Sequence, residues 1–258
     1  MKYNDVIIER TNHVGIIILN RPKNYNTFNV SMATDLNNAL MAFENDEAVR
    51  VIIIKGAGKN FCTGIDVNAL EGKTNIEYFK WVELMEQMNI TIASMGKPVI
   101  ASVHNIAVAN GIGLVAASDL AVASENARFG ATAINVGLFC MGPAVPLSKS
   151  LGRKKTLELL LTGDMIDAVE AERIGLINKV VPNDKLEEET MKLALKLAKK
   201  SPLALQFGKK SFYKMEDLSF SEALDLTNHH FASLCTTEDA HEGVEAFLNK
   251  RKPEWQMK

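Results

Sequence analysis

Two rhythms of apolar and polar positions run through the first two thirds of the chain. Residues 6–8 and Val14–Leu19 are β-branched runs separated by Thr11-Asn12-His13, a pattern that predicts a hairpin. Asn20-Arg21-Pro22-Lys23-Asn24 then reads as a turn or loop. From Ser31, apolar residues return at Met32, Leu36, Leu40 and Phe43, a helical spacing with Ser31 as the expected N-cap. Residues 51–54 form a short continuous apolar run and predict a buried strand. Phe79, Val82, Met85, Met88, Ile92 and Met95 make a second helical stripe, stopped by Gly96 and Pro98. Val99–Val103 predicts another buried strand, residues 111–118 a helix, and 120–123 a strand.

Strand and helix therefore alternate, which predicts an α/β protein with helices covering the sheet. The rhythm changes after residues 177–181, the last strand signal. Residues 186–199 are amphipathic and rich in helix formers, and Ser201-Pro202 opens another helix. Two more helices are expected over 221–234 and 238–249. The organisation predicted is an α/β core over residues 1–200 and a helical region over 201–258 suited to packing against a neighbouring subunit.

Composition narrows the class. The 258 residues are 47% hydrophobic and 23% charged, enough for a sizeable core. A formal net charge of -2 offers no general attraction to nucleic acid or to an anionic membrane, so neither is expected as a partner. Cys62, Cys140 and Cys235 are an odd, sparse set rather than a disulfide framework, and they suit a reducing, cytoplasmic setting. The first residues lack a signal-peptide pattern, and no run approaches the roughly 18 apolar residues of a membrane span.

Five segments carry a family resemblance. They are Leu19-Asn20-Arg21-Pro22-Lys23-Asn24-Tyr25-Asn26-Thr27-Phe28-Asn29; Phe61-Cys62-Thr63-Gly64-Ile65-Asp66-Val67; Lys97-Pro98-Val99-Ile100-Ala101 with Ala109-Asn110-Gly111; Leu161-Thr162-Gly163 with Ala171-Glu172-Arg173-Ile174-Gly175-Leu176-Ile177; and Phe247-Leu248-Asn249-Lys250-Arg251-Lys252-Pro253. In this order they resemble the enoyl-CoA hydratase/isomerase (crotonase) family over essentially the whole chain. The resemblance implies a spiral of ββα turns with a helical C-terminal region, a homotrimer or hexamer, and an acyl-CoA thioester as ligand. No separate cofactor is implied, since coenzyme A arrives as part of the substrate.

The resemblance also implies a chemistry: two backbone N–H groups stabilise a thioester oxyanion or enolate. Matched residue by residue, they belong to Ile65 and Asn110, with Gly64 shaping the first loop and Gly111 opening the helix. In hydratases, two glutamates also hold a water against the double bond. Those positions match Gly113 and Ala133 here, so neither can transfer a proton. The segment around Asn135 resembles a branch without the pair, the enoyl-CoA hydratase domain-containing proteins. An aspartate used by some dienoyl-CoA isomerases and aryl-CoA dehalogenases matches Met141. For coenzyme A, Lys23 and Tyr25 match the pantetheine and phosphate path, and Thr63, Asp66 and Val67 match the loop that holds the adenine. Gly111 is matched to the substrate site, and Lys250 to the ribose phosphate, from a neighbouring subunit.

Other groups able to move a proton are few. Asp66 and Cys140 are the catalytic candidates, the first set against a loop cap and the second against a small wall residue. His104, Asp119 and Asn135 each have a structural reading: a satisfied histidine, a strand-end hydrogen bond, and a water-orienting or packing amide. Two rivals lie outside the family. Gly111-Ile112-Gly113-Leu114-Val115-Ala116 fits G-x-G-x-x-A, but its first glycine lies eight residues beyond Val103, too far for a dinucleotide-binding turn. His229, His230 and His241 form no recognised metal-ligand spacing. The expected function is hydratase- or isomerase-like action on an acyl- or enoyl-CoA ester in fatty-acid metabolism, as a lyase or isomerase. The alternative is a non-catalytic acyl-CoA-binding subunit or scaffold.

Overall fold

The opening apolar runs pair as expected. In the computed structural model, which describes residues 3–258 without the side chain of Ala69, β1 (Val6–Thr11) and β2 (Val14–Leu19) form an antiparallel hairpin. Asn12 and His13 at its tip both take positive φ, the geometry of a tight two-residue turn. Strands β3 (Val51–Gly56), β4 (Val99–Val103), β6 (Leu120–Ser124) and β9 (Lys179–Val181) add in parallel to give a six-stranded sheet of order β1-β2-β3-β4-β6-β9. The strands are continuous apolar runs because both faces are covered. Ile52 and Ile54 face the main core, while Val51 and Ile53 pack with Ala194 and Ala198 of α7 (Leu186–Ala198) on the other side. β1 is an edge strand, with Ile7 and Ile8 partly exposed beside Glu9 and Arg10.

The main core lies between this sheet and α1 (Val30–Glu44), α2 (Asn75–Ser94) and α3 (Asn110–Ala117). The N-cap of α1 is Asn29 rather than Ser31: the Asn29 side chain accepts from the Met32 N–H at 2.7 Å. Helix α2 begins at Asn75, earlier than its apolar stripe suggests, because Thr74 and Glu77 make a capping box there. At the far end of α1, buried Lys97 donates through Nζ to the Phe43 and Asp46 carbonyls, both at 2.6 Å, where a cation offsets the unpaired carbonyls of a helix C-terminus.

A second sheet escapes the sequence pattern. Strands β5 (Ile106–Val108), β7 (Arg128–Gly130) and β8 (Met165–Asp167) have three residues each and join in the order β5-β7-β8. Helix α6 (Ala168–Arg173) packs on β7 and β8, while α4 (Met141–Leu151) packs on α3 and on α5 (Arg153–Thr162). The C-terminal region is helical, with α8 (Pro202–Met215), α9 (Phe220–Cys235) and α10 (Glu238–Leu248). Helix α8 ties it to the rest through Asp119, which accepts from the Val99 N–H at 2.7 Å and the Tyr213 hydroxyl at 2.9 Å and pairs with Lys209 at 2.7 Å.

Candidate active site

The loop after β3 and the start of α3 are forced together by hydrogen bonds and by missing side chains. The Cys62 N–H donates to the Ile106 carbonyl at 3.1 Å, and the Cys62 carbonyl accepts from Val108 at 3.0 Å. A Cβ at Gly111 would overlap that same Cys62 carbonyl. Gly64 takes φ +100, and a Cβ on it would lie 2.8 Å from the Ala109 Cβ and 3.8 Å from the Asn110 nitrogen. Glycine is therefore required at both positions.

This close approach leaves two backbone N–H groups, those of Ile65 and Asn110, on neighbouring segments. The Phe28 N–H donates to the Gly64 carbonyl at 2.8 Å, and the Asp66 N–H to the Phe28 carbonyl at 2.8 Å. That pairing uses the residues on either side of Ile65 and leaves the Ile65 N–H directed away from Phe28. The Asn110 N–H belongs to the first turn of α3, where no intrahelical carbonyl is available to it. Ala109, just before it, holds φ 49 and ψ -117, a region that costs a non-glycine residue roughly 1–3 kcal/mol and is found mainly at functional sites. Such a pair of donors can hold one developing oxyanion, helped by the dipole of α3.

The neighbouring loop is held by Asn26, a fully buried residue with φ 56. Its Nδ2 donates to the Ala57, Asn60 and Phe61 carbonyls at 2.9, 2.8 and 3.1 Å, and its Oδ1 accepts from the Arg21 N–H. Tyr25 and Thr63 meet across these loops: the Thr63 N–H and hydroxyl both donate to the Tyr25 carbonyl at 3.2 Å. Lys23 sits in the 3-10 turn Pro22–Asn24, and the Tyr25 and Val67 side chains are exposed beside it and after Asp66. Lys250 stands apart, after α10, its N–H donating to the Phe247 carbonyl.

The side chains proposed to move protons fall into structural settings. Asp66 caps the turn Val67–Ala69 and pairs with Arg21 at 3.1 Å. Burial opposes its ionisation, but the Arg21 guanidinium and the Asn68 donors prevail and hold its carboxyl below the usual range, which makes it a weak base. Cys140 is buried at the start of α4, where burial pushes its thiol up and keeps it from acting as a thiolate. His104 contacts the Gly58 carbonyl through Nε2 at 3.0 Å, and burial favours its neutral form. Asn135 donates to the Gly163 carbonyl. His230 meets the Ser211 hydroxyl at 2.6 Å.

One acidic residue at this site is silent in the sequence. Glu86 projects from α2, beside its apolar stripe, and accepts from the Asn110 side-chain amide at 3.0 Å through Oε1 and from Asn89 at 2.7 Å through Oε2. Burial raises its pKa, opposed by the Asn110 and Asn89 donors. A Cβ at Gly142 would overlap the carboxyl group, so α4 packs directly on it.

Comparison with known proteins gives the family. Residues 9–258 match the family described as enoyl-CoA hydratase/isomerase. The chain is 38% identical over 240 residues to the mitochondrial enoyl-CoA hydratase domain-containing protein 3 of Rattus norvegicus, covering 93% of this chain and 80% of that one. It is 36% identical to a probable enoyl-CoA hydratase of Rhizobium meliloti (strain 1021), covering 99% of each. Among solved structures, an enoyl-CoA hydratase of Mycobacterium smegmatis superposes with a TM-score of 0.95 at 36% identity, over 98% of this chain and 99% of that one. The human enoyl coenzyme A hydratase domain-containing protein 3 gives 0.93 at 36% identity, over 98% and 100%. The two sheets with their helical C-terminal region and these matches together show that the chain belongs to the enoyl-CoA hydratase/isomerase (crotonase) family.

Proposed function

We propose that the protein acts on an acyl- or enoyl-CoA thioester, holding the thioester oxygen between the N–H groups of Ile65 and Asn110. The observation that supports this is the close packing of Gly64 against Ala109 and Asn110, which sets the segment of Ile65 beside the start of α3. Each such donor is worth roughly 2.7–4 kcal/mol of transition-state stabilisation where it has been removed in other enzymes. Lys23, Tyr25, Thr63, Val67 and Gly111 line the proposed path of coenzyme A, with Asp66 keeping its loop in shape. Lys250 is proposed to meet the ribose phosphate from a neighbouring copy. No cofactor beyond the coenzyme A of the substrate is needed.

Exposed Phe220, Leu224 and Phe231 on α9 support assembly into a homotrimer or a hexamer. No helix among the described residues is long and apolar enough to cross a membrane. Three free cysteines support a reducing compartment. The rat relative is described as mitochondrial, so cytoplasm and mitochondrial matrix both fit.

The test is a mass-spectrometric screen of purified protein against enoyl-, dienoyl- and saturated acyl-CoA esters. Gain of water identifies hydration, unchanged mass with shifted retention identifies isomerisation, and free coenzyme A identifies hydrolysis. Esters that bind unaltered would leave a non-catalytic acyl-CoA-binding subunit, and esters that neither bind nor react would defeat the reading.

A further inference from the structure

We propose that Glu86, reaching the site from α2, carries the proton for an acyl-CoA held by the Ile65 and Asn110 N–H groups, an inference that rests on the reading just given. The geometry supplies the argument. Asn110 contributes a backbone donor to the oxyanion and its side-chain amide to the Glu86 carboxylate at 3.0 Å, so one residue sets both groups relative to each other. Asn89, one turn on in α2, fixes the second oxygen at 2.7 Å. The start of α4 shows why the acid comes from this direction. A Cβ at Gly113 would sit 3.0 Å from Pro143, so a side chain there would press on α4. The preceding residue, Gly142, has no side chain, and the Glu86 carboxyl occupies the space against it.

The environment suits a base. Burial raises the Glu86 pKa, and a carboxylate that is harder to ionise takes a proton from carbon more readily. The titratable group facing it is Cys140, at the start of α4, whose thiol is itself pushed up by burial and by Glu86. The amides of Asn89 and Asn110 are neutral. Charges on the other helices packed on α2 lie elsewhere: Glu44 of α1 and Lys210 of α8 meet at 3.8 Å, with Glu44 capping the Gly96 N–H.

The step balances without a co-reactant. The Cα–H bond breaks, the proton moves to Glu86, and the electron pair enters the bond between Cα and the thioester carbon. Charge develops on the thioester oxygen, facing the two N–H donors. Return of the proton to Cα gives exchange with solvent. Its delivery to the γ-carbon of a 3-enoyl ester gives the 2-enoyl ester. With a single carboxylate to shuttle the proton, isomerisation is favoured over hydration, which uses a separate acid and base.

The experiment incubates the full chain in D2O with butyryl-CoA and 3-hexenoyl-CoA. Mass spectrometry follows α-deuterium, chromatography follows the double bond, and calorimetry follows binding. Wild type is expected to exchange or isomerise at least one ester. Glu86→Gln is expected to lose about 100-fold or more in rate with binding kept, within the usual range for a general acid–base group. This variant fits the site: Asn89 Oδ1 has no partner among the described residues, so its amide can turn to accept from the new Gln. Wild-type rate in Glu86→Gln would overturn the assignment and leave the oxyanion reading standing. Binding without turnover of either ester by wild type would also overturn it, whereas absence of binding would remove the reading beneath it. If Glu86→Gln does not fold, the wild-type pH profile decides. The rate should fall on the acid side at a pH above that of an exposed glutamate, and a flat profile there would refute the proposal.

Discussion

Helices α1 and α9 are nearly equal in length, at 15 and 16 residues, and both are well started, by Asn29 and by a Ser219–Glu222 capping box. Yet α1 buries Met32, Leu36, Leu40 and Phe43, while α9 buries no residue and leaves Phe220 83% and Phe231 68% exposed. Local helix signals are therefore the same where packing differs completely. In α1 stability comes from apolar contact with the sheet and α2. Helix α9 packs on α8 but leaves Phe220, Leu224 and Phe231 exposed among the described residues.

The comparison breaks if the two helices respond alike to truncation. Leu36→Ala should cost about 2–5 kcal/mol, measured by urea unfolding, because it opens a cavity in a fully closed core. An equal loss from Leu224→Ala would show that α9 also draws its stability from the monomer.

Asp239 sharpens the contrast within the C-terminal region. It is almost fully buried and accepts from the Ser201 hydroxyl at 2.8 Å and from the Gln256 and Met257 N–H groups at 2.7 and 3.0 Å. Asp239→Ala should cost roughly 1–3 kcal/mol by leaving these donors without their acceptor. Amide exchange should rise first in residues 250–258 and in α10. Simultaneous loss of protection in α1 would mean that the two regions unfold as one.

Glu86 should show the opposite sign. Its folded-state pKa is raised above the unfolded value, so the folded protein holds the proton more tightly. The stability this contributes is fully present below the unfolded pKa and is lost as pH rises through the folded one. Glu86→Gln cannot ionise, so at neutral pH it should be more stable than wild type, and about equal in acid. Unfolding midpoints across pH test this, and a destabilised Glu86→Gln at neutral pH would mark the carboxylate as a structural anchor. The smallest effect on folding belongs to Phe231→Asp, within about 0.5 kcal/mol for the monomer. Sedimentation should instead move toward the monomer, and an unchanged assembly would place the interface elsewhere.

The same distinction separates what the sequence shows from what it hides. Strands β3 and β4 are legible because both faces are buried, which makes them unbroken apolar runs. Ser201 and Pro202 mark the start of α8 by chemistry that acts within three residues. Between Asn29 and Ser31 the cap is decided by where the backbone leaves the extended conformation, and composition does not carry that. Strands β5, β7 and β8 are too short to show a period, and α4 carries Pro146 inside it. At the site, the Ile65 and Asn110 donors are backbone groups, visible only through family resemblance. Glu86 is hidden for another reason: its bond to Asn110 spans 24 positions, and in the sequence it is one more polar residue beside a helical stripe. Asn26 has a similar excuse, since its three acceptors are carbonyls of a loop more than 30 positions away.

The edge hairpin has a consequence for how the chain emerges during synthesis. β2 pairs with β1 as soon as both are made, but its other side pairs in parallel with β3, which follows only after α1. At ~5–20 residues per second, the Ile16-Ile17-Ile18 edge waits for a few seconds without its neighbour. Glu9 and Arg10 already guard the outer side in that interval, as charged residues on an edge strand discourage pairing with another nascent chain. The unguarded side is the inner one, and slow translation through α1 would be the moment of greatest risk of aggregation.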